Sequence, residues 1–290
     1  MKKQLIALTL STLTFSSFNA VAEQDPRVQK EIDSYQGHFK AAYPALSTDL
    51  NLFANGNRVF NKDKQFQYEA QMIDNFEPPF TQKLAEGEKL WGTPFKNGKT
   101  FSSCYTMKEE DIKPSFPRWN NTTKQVDTLE ATLNECRAAN GEKPWKYGKG
   151  KIAYVSAYLG TLSEGKITNV VVPKGNEDAY KAWENGRENY FAKRGQLGLA
   201  CADCHVHSAG KFIRGDVLSS GLSTRHFPVW RGKWAKNNDG YGTLQRRFAG
   251  CYKQVRAKPQ KLQSEDYRNL EYFLASMGNG LEHRSTEYRQ

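Results

Sequence analysis

The chain has 290 residues and carries 42 Lys and Arg side chains against 31 Asp and Glu, a formal net charge of +11. This length allows one large or two small domains, and the basic balance favours an anionic substrate or an acidic protein partner. The sequence contains no nucleic-acid-binding motif. No segment after the N-terminal leader is apolar enough to span a membrane, so we expect no membrane span.

The N-terminus has the three parts of an export signal. Lys2 and Lys3 precede an apolar stretch over residues 5–18, and Ala20-Val21-Ala22 fits an A-x-A cleavage site. The pattern predicts a signal peptide over residues 1–22, cleaved after Ala22, and export to the periplasm. Residues 23–60 then form an N-terminal extension with no motif of its own.

One motif carries specific chemistry. In Cys201-Ala202-Asp203-Cys204-His205 the two thiols can add to the vinyl groups of a haem, and the adjacent histidine can ligate its iron. The motif occurs once. The sequence therefore predicts one covalently bound haem c per chain, with His205 as the proximal ligand.

An internal repeat surrounds this motif. LEATLNECRAANGEKP, which starts at Leu129, matches LQRRFAGCYKQVRAKP, which starts at Leu244, so that Cys136 pairs with Cys251. Further upstream Cys104 aligns with Cys204, while Phe101 and Tyr105 replace the first haem cysteine and the histidine.

The repeat predicts a mostly α fold of two tandem class I cytochrome c-like domains. Residues 61–172 would form a degenerate domain without haem, and residues 173–290 the domain that holds it. We predict closing helices over residues 150–162 and 264–277, a helix over 179–194 ahead of the haem motif, and one over 241–255 around Cys251.

Besides the two cysteines of the haem motif, the chain has three others, Cys104, Cys136 and Cys251. An oxidising compartment allows a disulfide between Cys104 and Cys136, which occupy repeat positions equivalent to haem-contacting cysteines. Such a bond typically contributes about 2–4 kcal/mol. Cys251 is then the odd thiol, which suggests a ligating or reactive role.

The second axial ligand decides between electron transfer and catalysis. No methionine lies between His205 and Ser264, which leaves His207, His226 and Cys251 as candidates. His207 is too close in sequence to the proximal ligand to reach the other haem face easily. Cys251 is favoured because it shares a helix face with the apolar residues Leu244, Phe248 and Val255. His226 stays open as an alternative, and so does a purely structural role for Cys251.

Arg247 precedes Cys251 by one helical turn, so the two side chains are neighbours on the predicted helix. The segment from Leu244 to Pro259 contains five cations and no acid. Because arginine binds oxyanions through two parallel hydrogen bonds, Arg247 is a candidate anion-binding residue.

With these motifs the sequence resembles the SoxA family, the cytochrome A subunit of the sulfur-oxidation system. The matching segments are CADCH, GTLQRRFAGCYKQVRAKP with Arg247 and Cys251, and NECRAANGEKPW. The resemblance implies a monohaem member with an L-cysteine S-thiosulfotransferase activity. It implies a SoxX-type monohaem cytochrome partner and a SoxYZ-type carrier protein whose cysteine is joined oxidatively to thiosulfate. It also implies that Cys251 is both a haem ligand and the site of a persulfide.

Two other functions remain possible at this stage. The first is a non-catalytic electron-transfer cytochrome c, in which Cys251 only tunes the haem. The second is a thiosulfate dehydrogenase that forms tetrathionate, although such proteins normally carry two haem motifs and this chain has one.

Overall fold

The computed structural model describes residues 22–73, 78, 80–235, 239–285 and 288–289, and this part of the chain is mostly helical. The predicted signal peptide lies outside the described residues, apart from Ala22. Within them, no helix combines the length and the apolar character needed to cross a bilayer.

The N-terminal extension forms a long helix, α1, over Pro26–Ala42. It begins at Asp25, whose carboxylate accepts a hydrogen bond from the Arg27 backbone N–H at 2.9 Å. Its buried face consists of Val28, Ile32, Tyr35 and Phe39. These side chains join the apolar core of the second half, where Tyr35 Oη lies 2.9 Å from Tyr190 Oη. Residues 26–42 are therefore part of that core.

The first half contains five helices and a two-stranded sheet among the described residues. They are α2 (Lys62–Ile73), α3 (Thr81–Gly92), α4 (Glu109–Ile112), β1 (Arg118–Asn120), β2 (Gln125–Asp127), α5 (Leu129–Ala139) and α6 (Lys151–Leu162). β1 and β2 are antiparallel, with Trp119 opposite Val126. α3 crosses α6 at Gly87, where a Cβ atom would collide with the Tyr154 carbonyl.

The second half follows the same helical order and carries more strands. Its described elements are α7 (Glu177–Phe191), α8 (Cys201–His205), β3 (Phe212–Ile213), β4 (Asp216–Val217), β5 (Val229–Arg231), β6 (Tyr241–Gly242), α9 (Leu244–Gln254), α10 (Glu265–Ser276) and β7 (Tyr288–Arg289). β5 pairs antiparallel with β6 and parallel with β7. α7 crosses α10 at Gly186, where a Cβ atom would meet the Asn269 carbonyl.

The predicted helices are present, and their ends are set by local capping. α7 ends at Phe191, three residues before the predicted end, because Ala192 is extended. α9 begins only at Leu244, since Tyr241 and Gly242 belong to β6 and the Thr243 side chain caps the helix by accepting the Arg246 N–H. The closing helices α6 and α10 agree with prediction to within one residue at each end.

Candidate functional site

The haem motif lies on α8, a short helix that follows the loop after α7. The Asp203 carboxylate accepts a hydrogen bond from the Ala200 N–H at 2.7 Å, which closes the first turn of the helix. Lys193 pairs with the same carboxylate at 2.8 Å. These contacts hold Cys201, Cys204 and His205 on the wall of one cavity.

The His205 ring is oriented by a backbone carbonyl. Its Nδ1 lies 2.8 Å from the Ser219 oxygen. Because a carbonyl can only accept, Nδ1 carries the hydrogen and donates it, which leaves the Nε2 lone pair available to a metal. This is the usual arrangement of a histidine that ligates a metal ion.

The cavity has about 1130 Å³ of free space, including its mouth. Most of its wall is apolar and includes Leu197, Leu199, Ile213, Leu218, Leu244, Phe248, Val255, Leu270 and Leu274. The size and the apolar wall suit a large flat group such as a porphyrin.

Cys251 and His205 both line this cavity, and their side chains are close enough to form a hydrogen bond. The four residues of the predicted α9 face, Leu244, Phe248, Cys251 and Val255, all line the wall. Burial opposes ionisation of the thiol. The positive charge of Arg247 and the contact with His205 outweigh it and lower the pKa of Cys251 to about 7. The thiol is thus readily converted to the thiolate form that ligates metals and attacks electrophiles.

Cations surround the Cys251 side of the cavity. Arg247 and Arg231 both line the wall, and the charge of each lowers the pKa of the Cys251 thiol. Partial burial and the charges of these two arginines lower the pKa of Lys233 in turn. The Asp216 carboxylate lies 3.8 Å from the Arg231 guanidinium. This concentration of positive charge suits a small dianion.

Sequence reasoning identified Arg247 but missed Arg231 and Lys233. Both belong to the segment Trp230-Arg231-Gly232-Lys233-Trp234, which resembles an ordinary basic loop in sequence. Its position beside Cys251 depends on the pairing of β5 with β6, which brings Val229 opposite Gly242 just before α9 begins. Nothing local in the sequence reveals that pairing.

The other candidate ligands lie elsewhere. His207 is exposed, and its ring packs against His38 with the centroids 6.5 Å apart. His226 is 1% exposed and stacks on Phe227. Neither histidine lines the cavity. Met277 is fully buried in the core of the second half. The geometry therefore brings Cys251, alone among the three candidates, to the cavity wall beside His205.

The matching part of the first half has a different interior. Cys104 and Cys136 form a disulfide with a Cα–Cα distance of 5.9 Å. Phe101 is 1% exposed and stacks against Trp91, with the ring centroids 5.5 Å apart. Tyr105 packs beside Trp91 in the same aromatic cluster. Aromatic rings here fill the space that corresponds to the cavity of the second half.

Comparisons with known proteins identify the family. A family model described as SoxA/TsdA, cytochrome c domain, matches residues 86–167. The L-cysteine S-thiosulfotransferase subunit SoxA of Allochromatium vinosum is 43% identical over 255 residues, 88% of this chain and 87% of that protein. The SoxA subunit of Chlorobaculum tepidum is 38% identical and spans 98% of this chain and 96% of that protein.

A solved structure shares the fold. The crystal structure of SoxXA from P. pantotrophus superposes with a TM-score of 0.67 at 29% sequence identity, over 79% of this chain and 84% of that chain. The curated relatives match over nearly their whole length and carry the same subunit name. From its cavity, its motifs and these relatives, the chain belongs to the SoxA family of L-cysteine S-thiosulfotransferase subunits.

Proposed function

We propose that the second half binds one haem c through Cys201 and Cys204, with His205 and Cys251 as the two axial ligands. The observation that supports this proposal is that His205 and Cys251 both line one apolar cavity and come within hydrogen-bonding contact of each other there. A bound haem would supply a one-electron redox centre. Ser219 fixes the imidazole tautomer, and Arg247 favours the thiolate form of Cys251.

The reaction of this subunit is the oxidative joining of thiosulfate to a cysteine of a SoxYZ-type carrier protein. One carrier thiolate and one thiosulfate dianion give a carrier thiosulfonate and two electrons, with the new bond between two sulfur atoms. We assign Arg247 to hold the thiosulfate anion. Cys251 would take part as a thiolate beside that cation. Loss of two electrons would join its sulfur to the outer sulfur of thiosulfate, and the carrier thiolate would then attack that outer sulfur and release the Cys251 thiolate.

The electrons leave through a SoxX-type monohaem cytochrome partner. Two electrons are released per bond, whereas one haem accepts one, so a second redox centre is needed. The neighbour from P. pantotrophus is described as SoxXA, which supports a partner of this kind.

An assay with and without a carrier thiol tests the function. We expect reduction of the haems by thiosulfate to require the carrier, and mass spectrometry to find thiosulfate attached to the carrier cysteine. The family model is shared with TsdA, so tetrathionate formed from thiosulfate alone would indicate the dehydrogenase instead. Reduction by other donors without any sulfur product would indicate an electron-transfer cytochrome.

We also infer two tandem cytochrome c-like units, residues 61–172 without haem and 173–290 with it. Two contacts support the repeat. Ser156 Oγ donates to Glu130 Oε1 at 2.8 Å, and Gln245 Nε2 donates to Glu271 Oε2 at 2.9 Å, at equivalent positions of the repeat. Haem quantitation should give one haem per chain, and a value of two would contradict the inference.

Export to the periplasm, with removal of residues 1–22, completes the proposal. The charged, apolar and small-residue parts of the leader support it. N-terminal sequencing of the protein from its native compartment should begin at Glu23. A chain that still carried Met1 in the cytoplasmic fraction would contradict both the cleavage and the compartment.

A further inference from the structure

A second cavity lies beside the cavity lined by Cys251, here called the haem cavity, and it is lined by charged and polar side chains. The polar residues on its wall are Lys113, Glu130, Thr168, Thr224, Arg225, Glu271 and His283. Thr224, Phe227 and Leu244 line both cavities and so form the partition between them. Glu271 itself follows Leu270 on α10, and Leu270 lines the haem cavity.

Three polar groups on this wall are left without a hydrogen-bond partner. They are Thr168 Oγ1, Arg225 Nη2 and His283 Nε2, each from a side chain that is at most 5% exposed. Buried polar groups are costly unless they are paired, and ordered water commonly pairs them. The second cavity therefore suits a small cluster of water molecules that connects these atoms to the carboxyl groups of Glu130 and Glu271.

Glu271 is the ionisable group most affected by this environment. Burial and the neighbouring Glu130 carboxylate raise its pKa to about 8, whereas the hydrogen bond from Gln245 and the positive charge of Lys113 act in the opposite direction. Arg225 remains a cation at neutral pH, because burial lowers its pKa only to about 9. His283 stays neutral, since burial and the charges of Lys113 and Arg225 lower its pKa to about 3.

We propose that the second cavity is a redox-linked protonation site, in which Glu271, ionised in the oxidised protein at alkaline pH, takes up a proton from solvent when the neighbouring haem is reduced and releases it on oxidation. The inference rests on the haem of the proposed function. One electron from the sulfur substrate enters the haem, and one proton from solvent converts the Glu271 carboxylate to the acid. Both leave again when the partner cytochrome takes the electron, so charge in this buried region stays balanced.

The sign of the effect follows from electrostatics. An added electron makes the haem region more negative and raises the pKa of a nearby acid. Reduction is then accompanied by proton uptake wherever the pH lies between the two pKa values of Glu271. The haem midpoint potential should therefore fall as the pH rises above about 8 and become constant once both forms are ionised.

The test measures the haem potential of the haem-loaded full-length chain between pH 6 and pH 11. In Glu271→Gln, which retains the acceptor for Gln245, we expect this pH-dependent fall to be lost. In Glu265→Gln, an exposed position on the same helix, the profile should match that of the wild type. In Glu130→Gln the fall should begin at lower pH, since the charge that raises the Glu271 pKa is gone.

Infrared difference spectra between the oxidised and reduced protein provide a second readout. Above pH 8 a protonated carboxyl band should appear on reduction, shift in D2O and be absent in Glu271→Gln. A wild-type potential that does not change with pH, or a fall that persists in Glu271→Gln, would overturn the inference. Haem absorbance and thiosulfate conjugation are measured on the same samples, because their loss in the wild type would contradict the proposed function instead.

Discussion

The two halves of the molecule use one helical frame for two kinds of interior. Where the second half presents Cys201 and His205 to a cavity, the first half has Phe101 and Tyr105 within an aromatic cluster. Cys251 is a free thiol on its cavity wall, whereas its counterpart Cys136 is held in a disulfide. The comparison teaches that a few substitutions can convert a cofactor site into a packed core while the surrounding helices keep their order.

The two halves also differ in charge, because uncharged residues of the first half correspond to arginines of the second. The position that corresponds to Arg247 is Thr132, whose hydroxyl lies 3.1 Å from the Tyr105 hydroxyl. β1 ends at Asn120, whereas the corresponding strand of the second half, β5, ends at Arg231. The first half thus lacks the arginines that surround the reactive thiol of the second. Five variants test this division of roles, in order of decreasing effect.

Replacing Cys251 by Met should remove the chemistry and keep the cofactor. We expect conjugation of thiosulfate to fall to the level of a protein-free control, because methionine has no ionisable thiol beside Arg247. Covalent haem should remain, and the absorption spectrum should shift with the axial ligand. Haem content measured after denaturation is the control. A native spectrum together with full activity would mean that His226 or another group is the ligand.

Replacing Phe101 by Ala should empty the aromatic interior of the first half. Phe101 stacks on Trp91 and packs edge-on against Phe95. We expect the free energy of unfolding to fall by about 3–5 kcal/mol, measured in urea by tryptophan fluorescence, with an unchanged haem spectrum. Phe66→Ala is the matched control, since that ring is 70% exposed. Equal effects of the two variants would contradict the assigned core.

Replacing both Cys104 and Cys136 by Ser tests the disulfide alone. The bond closes a loop across a sequence separation of 32 residues, so its loss should lower the free energy of unfolding by about 2–4 kcal/mol. The haem should stay bound, because no residue of the disulfide lines the haem cavity. If both thiols of the unreduced, denatured wild type reacted with an alkylating agent, there would be no such bond.

Replacing Arg247 by Lys keeps the charge and loses the two-pronged guanidinium. A hydrogen bond to a charged group is worth about 1.5–3 kcal/mol, so we expect the conjugation rate to fall roughly 10- to 100-fold at low thiosulfate. The haem spectrum should not change. Arg256→Lys, an exposed position after the same helix, serves as the control and should behave like the wild type.

Replacing Lys233 by Gln should have the smallest effect. Lys233 is exposed, and salt screens the attraction of an exposed cation for an approaching anion. We expect the conjugation rate at low thiosulfate to fall a few-fold at low ionic strength and to match the wild type at high salt. Lys211→Gln provides a second exposed cation for comparison. A loss that did not depend on salt would assign Lys233 a direct contact instead.

The repeat made much of this fold predictable from sequence. The spacing of Leu244, Phe248, Cys251 and Val255 gave the cavity-facing side of α9, and the turn-forming residues gave helix ends to within a few positions. The role of α1 was not predictable, because its apolar face fits any core of suitable shape. The second cavity was not predictable from the sequence for a similar reason. Glu130, Glu271 and His283 lie far apart in sequence and meet only after the two halves pack.

The place of α1 also bears on how the chain is made. Ribosomes synthesise from the N-terminus, so α1 exists well before the helices that cover its apolar face. Tyr35 can contact Tyr190 only after that later residue has been synthesised. The Asp25 N–H likewise can donate its hydrogen bond only once the Val172 carbonyl is present. The core around the haem motif therefore forms late, because it contains residues of the N-terminal helix α1 together with residues near the C-terminus. If haem is attached after export, as proposed, a chain whose core is still open would leave Cys201 and Cys204 accessible for that attachment.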